Sequence, residues 1–215
     1  MMNRSLKRPM PGFVLRWVLF STVGLGTGLA TGLGVAGPIE ALVGMMLVTP
    51  VMLALAGSVF GASQWLAIWR WHRAGVVWVA ASAVALGVGM TFGIVVVEMA
   101  GRAITGQQVR LFSIDPAGRI LSLAVIGTLT GLAVGAAQRL ALRPYGTTPG
   151  SWIVRCAAAF GVGLPGGALA ADLLLGGLQT AAGFVTFLGV AGLIVGIVTL
   201  RPAERIASGP PLEAA

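Results

Sequence analysis

The sequence predicts an all-α integral membrane protein with six transmembrane helices, built as three repeated two-helix hairpins with both termini cytoplasmic. Composition is the first reason: 57% of the residues are apolar and 9% are charged, whereas a soluble domain is about 25% charged. The second reason is a series of six apolar runs, each near the roughly 20 residues that cross about 30 Å of hydrocarbon. The third is a glycine motif that recurs at the same place in each hairpin.

The apolar runs divide the chain into three regions. Residues 1–16 are a basic cytoplasmic N-terminus, 17–200 the six-helix transmembrane domain, and 201–215 a disordered cytoplasmic tail. The predicted spans lie near residues 17–36, 42–66, 77–98, 119–141, 152–174 and 180–200. The first span follows basic residues, as the apolar part of a signal peptide does. It aligns with two later spans, however, and we therefore predict that it is retained as a transmembrane helix.

Each predicted hairpin joins a helix led by tryptophan to a helix that carries the glycine motif. Trp17 to Gly32 aligns without gaps on Trp78 to Gly93, with 8 of 16 residues identical, and the latter aligns on Trp152 to Gly167 with 7 identical. The hairpins are residues 17–70, 77–143 and 152–200. The middle hairpin has 13 extra residues in an external loop insertion, 101–118. This insertion is either a site of specific function or a tolerated loop.

The basic residues predict the orientation of the chain. Eleven of the 14 lie on one side of the predicted spans, and the positive-inside rule places that side, with both termini, in the cytoplasm. The six tryptophans lie at the same boundary, where an aromatic belt is expected: Trp17, Trp65, Trp69, Trp71, Trp78 and Trp152. Thirteen of the basic residues are arginine, as in GC-rich bacterial genomes. We therefore expect the protein in a bacterial cytoplasmic membrane.

Glycines form stripes on both kinds of helix. In the second helix of each hairpin, two glycines and a polar residue stand at relative positions 0, 4 and 7, which share one face of a helix. These residues are Gly57, Gly61 and Gln64, then Gly131, Gly135 and Gln138, then Gly192, Gly196 and Thr199. In the tryptophan-led helices the pairs are Gly28 and Gly32, Gly89 and Gly93, and Gly163 and Gly167. Small residues allow close helix packing in lipid, and a polar side chain can add an interhelical hydrogen bond. The stripes predict a packing clamp, with a small polar binding site as the alternative at the polar positions.

Three acidic residues lie near the external ends of the predicted spans: Glu40, Glu98 and Asp172. Acids at the interface avoid most of the cost of insertion into the membrane centre, about 2.5–3.5 kcal/mol. They are either solvated helix ends or an external acidic ring that admits cations or pairs with Arg102, Arg110 and Arg119. The choice between these alternatives stays open at this point.

The sequence contains few residues that could support catalysis. The one histidine, His72, lies in a predicted cytoplasmic turn, and the one cysteine, Cys156, stands where Ser21 and Ser82 stand in the other hairpins. No nucleophile–base pair or metal-ligand spacing faces a common site. We therefore predict no enzyme activity, no catalytic or metal-binding residue and no cofactor, and a bound lipid or pigment stays an open alternative. Because the cations flank apolar spans, the expected partner is the lipid bilayer and not nucleic acid.

The motif itself carries one resemblance. The run Gly57-x-x-x-Gly61-x-x-Gln64-Trp65-Leu66 resembles a motif that is repeated in uncharacterised bacterial multi-pass membrane proteins. The resemblance covers the second and fourth spans, whereas Thr199 replaces glutamine in the sixth. It implies a multi-pass membrane fold and no particular activity.

Two functions fit these observations. The first is a structural, accessory or assembly subunit that packs against a larger membrane complex, since close-packing surfaces are many and charges at the membrane centre are lacking. The alternative is a small transporter or channel for a lipophilic or small solute, because parallel repeats also occur in transporters. We expect other membrane protein subunits as partners in the first case.

Overall fold

The computed structural model describes residues 12–68, 75–106, 115–145, 150–175, 177–178 and 180–207. These residues form seven α-helices and one short 3₁₀ turn, Arg143–Tyr145. The helices are α1 (Phe13–Gly34), α2 (Ala36–Val43), α3 (Met45–Ile68), α4 (Gly75–Thr105), α5 (Pro116–Leu142), α6 (Trp152–Leu175) and α7 (Ala181–Ala207). All except α2 are long and apolar enough to cross a membrane. The predicted class, an all-α membrane protein with six transmembrane helices, is confirmed.

Helix ends follow local chemistry. Asp115 caps α5, because its carboxylate accepts a hydrogen bond from the backbone N–H of Gly118, at 3.2 Å, and Pro116 occupies the first helical position. This is the cap that the Asp-Pro pair predicts. Gly44, with a φ of 79°, separates α2 from α3. That left-handed conformation is costly for residues with a Cβ atom.

The helices differ from the predicted spans most clearly at three places, and α1 also begins at Phe13, within the predicted N-terminal region 1–16. The short helix α2 occupies residues that the sequence assigned to the junction of the first two spans. Helix α4 continues to Thr105, into the predicted insertion 101–118, of which residues 107–114 lie outside the described part of the chain. Helix α7 continues to Ala207, beyond the predicted start of a disordered tail at 201. The extension of α7 has a physical reason, since Ala203 is fully buried against the cluster around Trp17.

The six long helices form a closed ring. Each packs extensively on two others, in the order α1, α3, α4, α5, α6 and α7, and α7 packs on α1 to complete the circle. The short helix α2 lies against α3 and α1. The first and last long helices of the described chain are therefore neighbours, although they are farthest apart in sequence.

The inside of the ring is filled with apolar side chains. One buried cluster draws residues from all six long helices, among them Leu25, Phe60, Leu86, Ile126 and Phe160. A second cluster lies around three tryptophans, and it includes Phe13, Ile68 and Leu142. Large apolar side chains also cover the outside, where they suit contact with lipid: examples are Leu15, Val76, Leu121, Leu173 and Val185, all more than half exposed.

Candidate functional site

The glycines of the tryptophan-led helices lie against the other helix of the same hairpin. A Cβ atom on Gly28 would lie 2.5 Å from the carbonyl oxygen of Ala56 in α3, and one on Gly93 would lie 2.9 Å from the Cα of Ile126 in α5. Real Cβ atoms do not approach backbone atoms so closely, so these positions require glycine. The other glycines also lie against the partner helix, Gly32 on Met52, Gly89 on Ala133, Gly163 on Ala191 and Gly167 on Phe187, although a Cβ atom on Gly163 would still be 3.1 Å from the carbonyl oxygen of Ala191.

The glycines of the second helices lie against the next hairpin instead. A Cβ atom on Gly57 would lie 2.5 Å from the carbonyl oxygen of Ser82 in α4. Gly61 likewise contacts Ser82, Gly131 contacts Cys156 and Ala157, Gly135 contacts Ile153, Gly192 contacts Thr22, and Gly196 contacts Val18. The last two pairs join α7 to α1. One set of glycines thus closes each hairpin, and the other joins successive hairpins into the ring.

Three tryptophans from alternate helices meet inside the ring. Trp17 of α1, Trp78 of α4 and Trp152 of α6 are all fully buried. The ring centroids of Trp17 and Trp152 are 6.2 Å apart, and those of Trp78 and Trp152 are 5.9 Å apart. The prediction that these three belong to an interfacial belt is wrong, because each side chain faces its counterparts and not the lipid headgroups. Of the other tryptophans, Trp65 is half-buried, and Trp69 and Trp71 lie outside the described residues.

The polar residues of the glycine motif lie beside these tryptophans. Gln64, Gln138 and Thr199 are 2%, 0% and 1% exposed. Gln138 Nε2 donates hydrogen bonds to Gln64 Oε1, at 3.0 Å, and to Ser82 Oγ, at 2.9 Å. Trp17 Nε1 donates to Thr199 Oγ1 at 3.1 Å. The structure thus connects glutamines of α3 and α5, which are not neighbours in the ring, by a direct hydrogen bond, and the same amide also bonds Ser82 of α4, the helix between them.

A serine or cysteine follows each of the three tryptophans by four residues and is buried in the same region. Ser82 donates to the carbonyl oxygen of Trp78 at 2.9 Å and also accepts from Gln138. Cys156 packs in the tryptophan cluster as a free thiol. We refer to the buried group as the polar layer, and its members are Trp17, Ser21, Gln64, Ser82, Trp78, Gln138, Trp152, Cys156 and Thr199.

Four atoms of the polar layer have no hydrogen-bond partner. They are Ser21 Oγ, Trp78 Nε1, Gln138 Oε1 and Trp152 Nε1, and all are buried. A buried polar atom without a partner costs about 1–3 kcal/mol. Among the described residues, three further buried polar atoms lack a partner, at Trp65, Thr91 and Arg119, so the polar layer holds four of the seven, contributed by α1, α4, α5 and α6.

The three acids have three different environments. Glu40 is exposed on α2, Glu98 is half-buried on α4, and Asp172 of α6 forms an ion pair with Arg119 of α5. The Arg119 and Asp172 side chains are 14% and 23% exposed. Arg102 is exposed on α4, and Arg110 lies outside the described residues. Of the pairings that the sequence suggests, the described part of the chain contains the one between Asp172 and Arg119.

Comparison of the chain with protein-family models, curated proteins and solved structures returned no match. The resemblance to proteins with a repeated glycine–glutamine motif therefore stays a prediction from the motif alone. The described residues contain no group of three or more His, Cys, Asp or Glu side chains that could hold a metal ion. His72 lies outside them.

Sequence reasoning identified a third of the polar layer. It selected Gln64, Gln138 and Thr199 and predicted that Cys156 is a packing residue, as its place in the tryptophan cluster confirms, but it assigned Trp17, Trp78 and Trp152 to the membrane surface. A signal was present, because tryptophan and the small residue four positions later recur at matching places of the alignment. Positions four apart share a helix face, so the pair indicates one inward face on each of three helices.

Proposed function

We propose that this chain is a non-enzymatic structural or assembly subunit that packs against other polypeptides of a membrane complex. The carrying observation is the contact between Phe60 and Phe160. These side chains belong to α3 and α6, which lie opposite one another in the ring, and their centroids are 5.9 Å apart in an edge-to-face arrangement. Two aromatic rings thus occupy the centre of the ring, where a channel would need to be open.

The filled interior supports a packing role over conduction. The apolar cluster that contains the phenylalanine pair draws residues from all six long helices, and a second cluster surrounds the tryptophans. Ion and solute pathways are lined by charged or polar groups near the membrane centre. Among the described residues, the buried polar side chains are concentrated instead in the polar layer.

The outer surface supplies the area for partners. Small side chains are exposed on several of the long helices, among them Ala30 of α1, Ala80 of α4 and Ala158 of α6. Small residues let a second helix approach closely, and helix association in lipid depends on such packing. The wide apolar exterior is accordingly the surface on which other subunits bind.

We further propose a membrane orientation, a repeat structure and a cellular location for the chain. We place the residues before α1 and after α7 in the cytoplasm, because 11 of the 14 basic residues lie on that side, and the predominance of arginine among them supports a bacterial source. We also propose that the chain is three copies of one hairpin. Matching glycine contacts support this, since Gly57, Gly131 and Gly192 each contact the residue five positions after a leading tryptophan.

Native purification tests the function. The full chain is extracted from its own membrane in a mild detergent and purified through a C-terminal affinity tag. We expect defined membrane polypeptides to co-purify with it in a fixed ratio. The control is the same tag on an unrelated six-helix protein of equal abundance. Recovery of the chain alone, as a monodisperse species at native expression level, contradicts the proposal.

The alternative function is transport or binding of a small or lipophilic solute. The observation that favours it is the set of unpartnered polar atoms at Ser21, Trp78, Gln138 and Trp152. Purified protein in liposomes decides between the two functions. Saturable uptake of a solute that is lost in Gln138→Leu, with normal folding, supports transport and contradicts a purely structural role.

A further inference from the structure

The polar layer has three places where the glycine-motif helix of one hairpin reaches the tryptophan of the next. At the junction of α7 and α1, Thr199 accepts directly from the indole N–H of Trp17. At the other two junctions, glutamine replaces threonine, and Trp78 and Trp152 have no partner. Two indole donors are therefore unused at the positions where the longer side chain stands.

The glutamine orientation explains why the indoles are left free. Gln138 Nε2 donates to both Gln64 Oε1 and Ser82 Oγ. Rotation of the Gln138 amide alone would place its oxygen against Gln64 Oε1, so that two acceptors would face each other. The two bonds thus fix the amide plane and leave Gln138 Oε1 without a donor.

The unpartnered groups of the polar layer include both hydrogen-bond donors and hydrogen-bond acceptors. Trp78 Nε1 and Trp152 Nε1 are donors only, Gln138 Oε1 is an acceptor only, and Ser21 Oγ is both. A water molecule accepts two hydrogen bonds and donates two, and buried waters in proteins typically make about three bonds to such otherwise unsatisfied groups. We propose that the polar layer binds ordered water, which accepts from the indoles of Trp78 and Trp152 and donates to Gln138 Oε1.

The surrounding side chains separate this water from bulk solvent. The tryptophan cluster is covered by buried apolar residues, among them Phe13, Ile68, Leu142 and Ala203. On the other side lies the apolar core with Phe60 and Phe160. Water in this position is an integral part of the folded protein, and it replaces the direct tryptophan–threonine bond of the first junction.

NMR of the indole protons tests the proposal. The full chain is labelled with ¹⁵N-tryptophan and held in lipid nanodiscs. Magnetisation transfer from water to each indole N–H is then measured, and single Trp→Phe variants assign the indole signals. We expect a water signal on both Trp78 and Trp152 and none on Trp17. Trp17 is the internal control, because its N–H is bonded to the Thr199 hydroxyl and would report any transfer relayed through hydroxyl protons.

Two results overturn the proposal. Absence of a water signal on either Trp78 or Trp152 shows that no water accepts from both indoles. An equal signal on Trp17 shows relay through hydroxyls or open access to solvent. In Gln138→Met, which has a similar length but no amide oxygen, the water signal is expected to fall at least severalfold. Should that variant fail to fold, the wild-type comparison of the three indoles still decides.

Discussion

Trp17 donates its indole hydrogen bond to Thr199, a residue 182 positions later, and so connects the first and last long helices of the ring. The bond lies where Gly192 and Gly196 bring α7 into backbone contact with α1. It is a buried link between the two ends of the described chain, and closure of the ring depends on the same interface.

Removal of this bond is expected to weaken the closure. In Thr199→Val the size of the side chain is kept but the acceptor is lost, and interhelical hydrogen bonds in membranes contribute about 0.6–1.7 kcal/mol. Reversible unfolding in mixed detergent micelles measures the change. Thr27→Val is the matched control, because Thr27 is exposed and its hydroxyl donates to the carbonyl oxygen of Val23 in its own helix. Equal stability of the two variants would contradict the role of Thr199.

A methyl group at the glycine contacts is expected to separate helices. A Cβ atom on Gly57 would meet the backbone of Ser82 and Ala83, and forced overpacking costs about 1–3 kcal/mol. Gly57→Ala should therefore lower the unfolding free energy by that amount. Gly189→Ala is the control, since nothing lies within 4 Å of a Cβ atom there. If both substitutions have the same effect, helix propensity and not close contact accounts for it.

The ion pair of Arg119 and Asp172 is expected to stabilise the contact between α5 and α6. Because both side chains are mostly buried, loss of one partner should cost more than the roughly 0–1 kcal/mol of an exposed pair. A double-mutant cycle with Arg119→Gln and Asp172→Asn measures their coupling. Glu40→Gln serves as the control at an exposed acid. Strict additivity of the two substitutions would show that the pair does not contribute.

Bulky residues on the outer surface are expected to displace partners without disturbing the ring. Ala30→Trp, Ala80→Trp and Ala158→Trp each place a large side chain on an exposed position of a different helix. We expect at least one variant to keep its unfolding midpoint but lose the co-purifying polypeptides, because close helix packing requires small residues. The unaffected variants serve as controls. Full retention of partners by all three would place the docking surface elsewhere.

Labelling of single cysteines tests the orientation. The native thiol is first removed by Cys156→Ser, because serine stands at the equivalent positions 21 and 82 of the other hairpins. In this background, Arg102→Cys and Arg201→Cys introduce exposed thiols at opposite ends of the long helices. A membrane-impermeant maleimide is expected to label the first in intact cells and the second only after permeabilisation. The reverse pattern contradicts the positive-inside prediction.

The sequence by itself determined the six long helices, because hydropathy and helix length are local properties that no distant contact needs to supply. It also selected the glycines, since offsets of four place two residues on one face of any helix. The helix cap at Asp115 could also be predicted from the sequence, because it depends on neighbouring residues only.

Only the tertiary structure decided what the tryptophans do. A tryptophan near a helix end suits both an interfacial belt and an enclosed cluster, because the indole has an apolar body and one polar N–H. Its local sequence is the same in both cases. Trp17, Trp78 and Trp152 are buried because α7 packs on α1 and the helices close into a ring, and that closure depends on contacts between residues that are far apart in the chain.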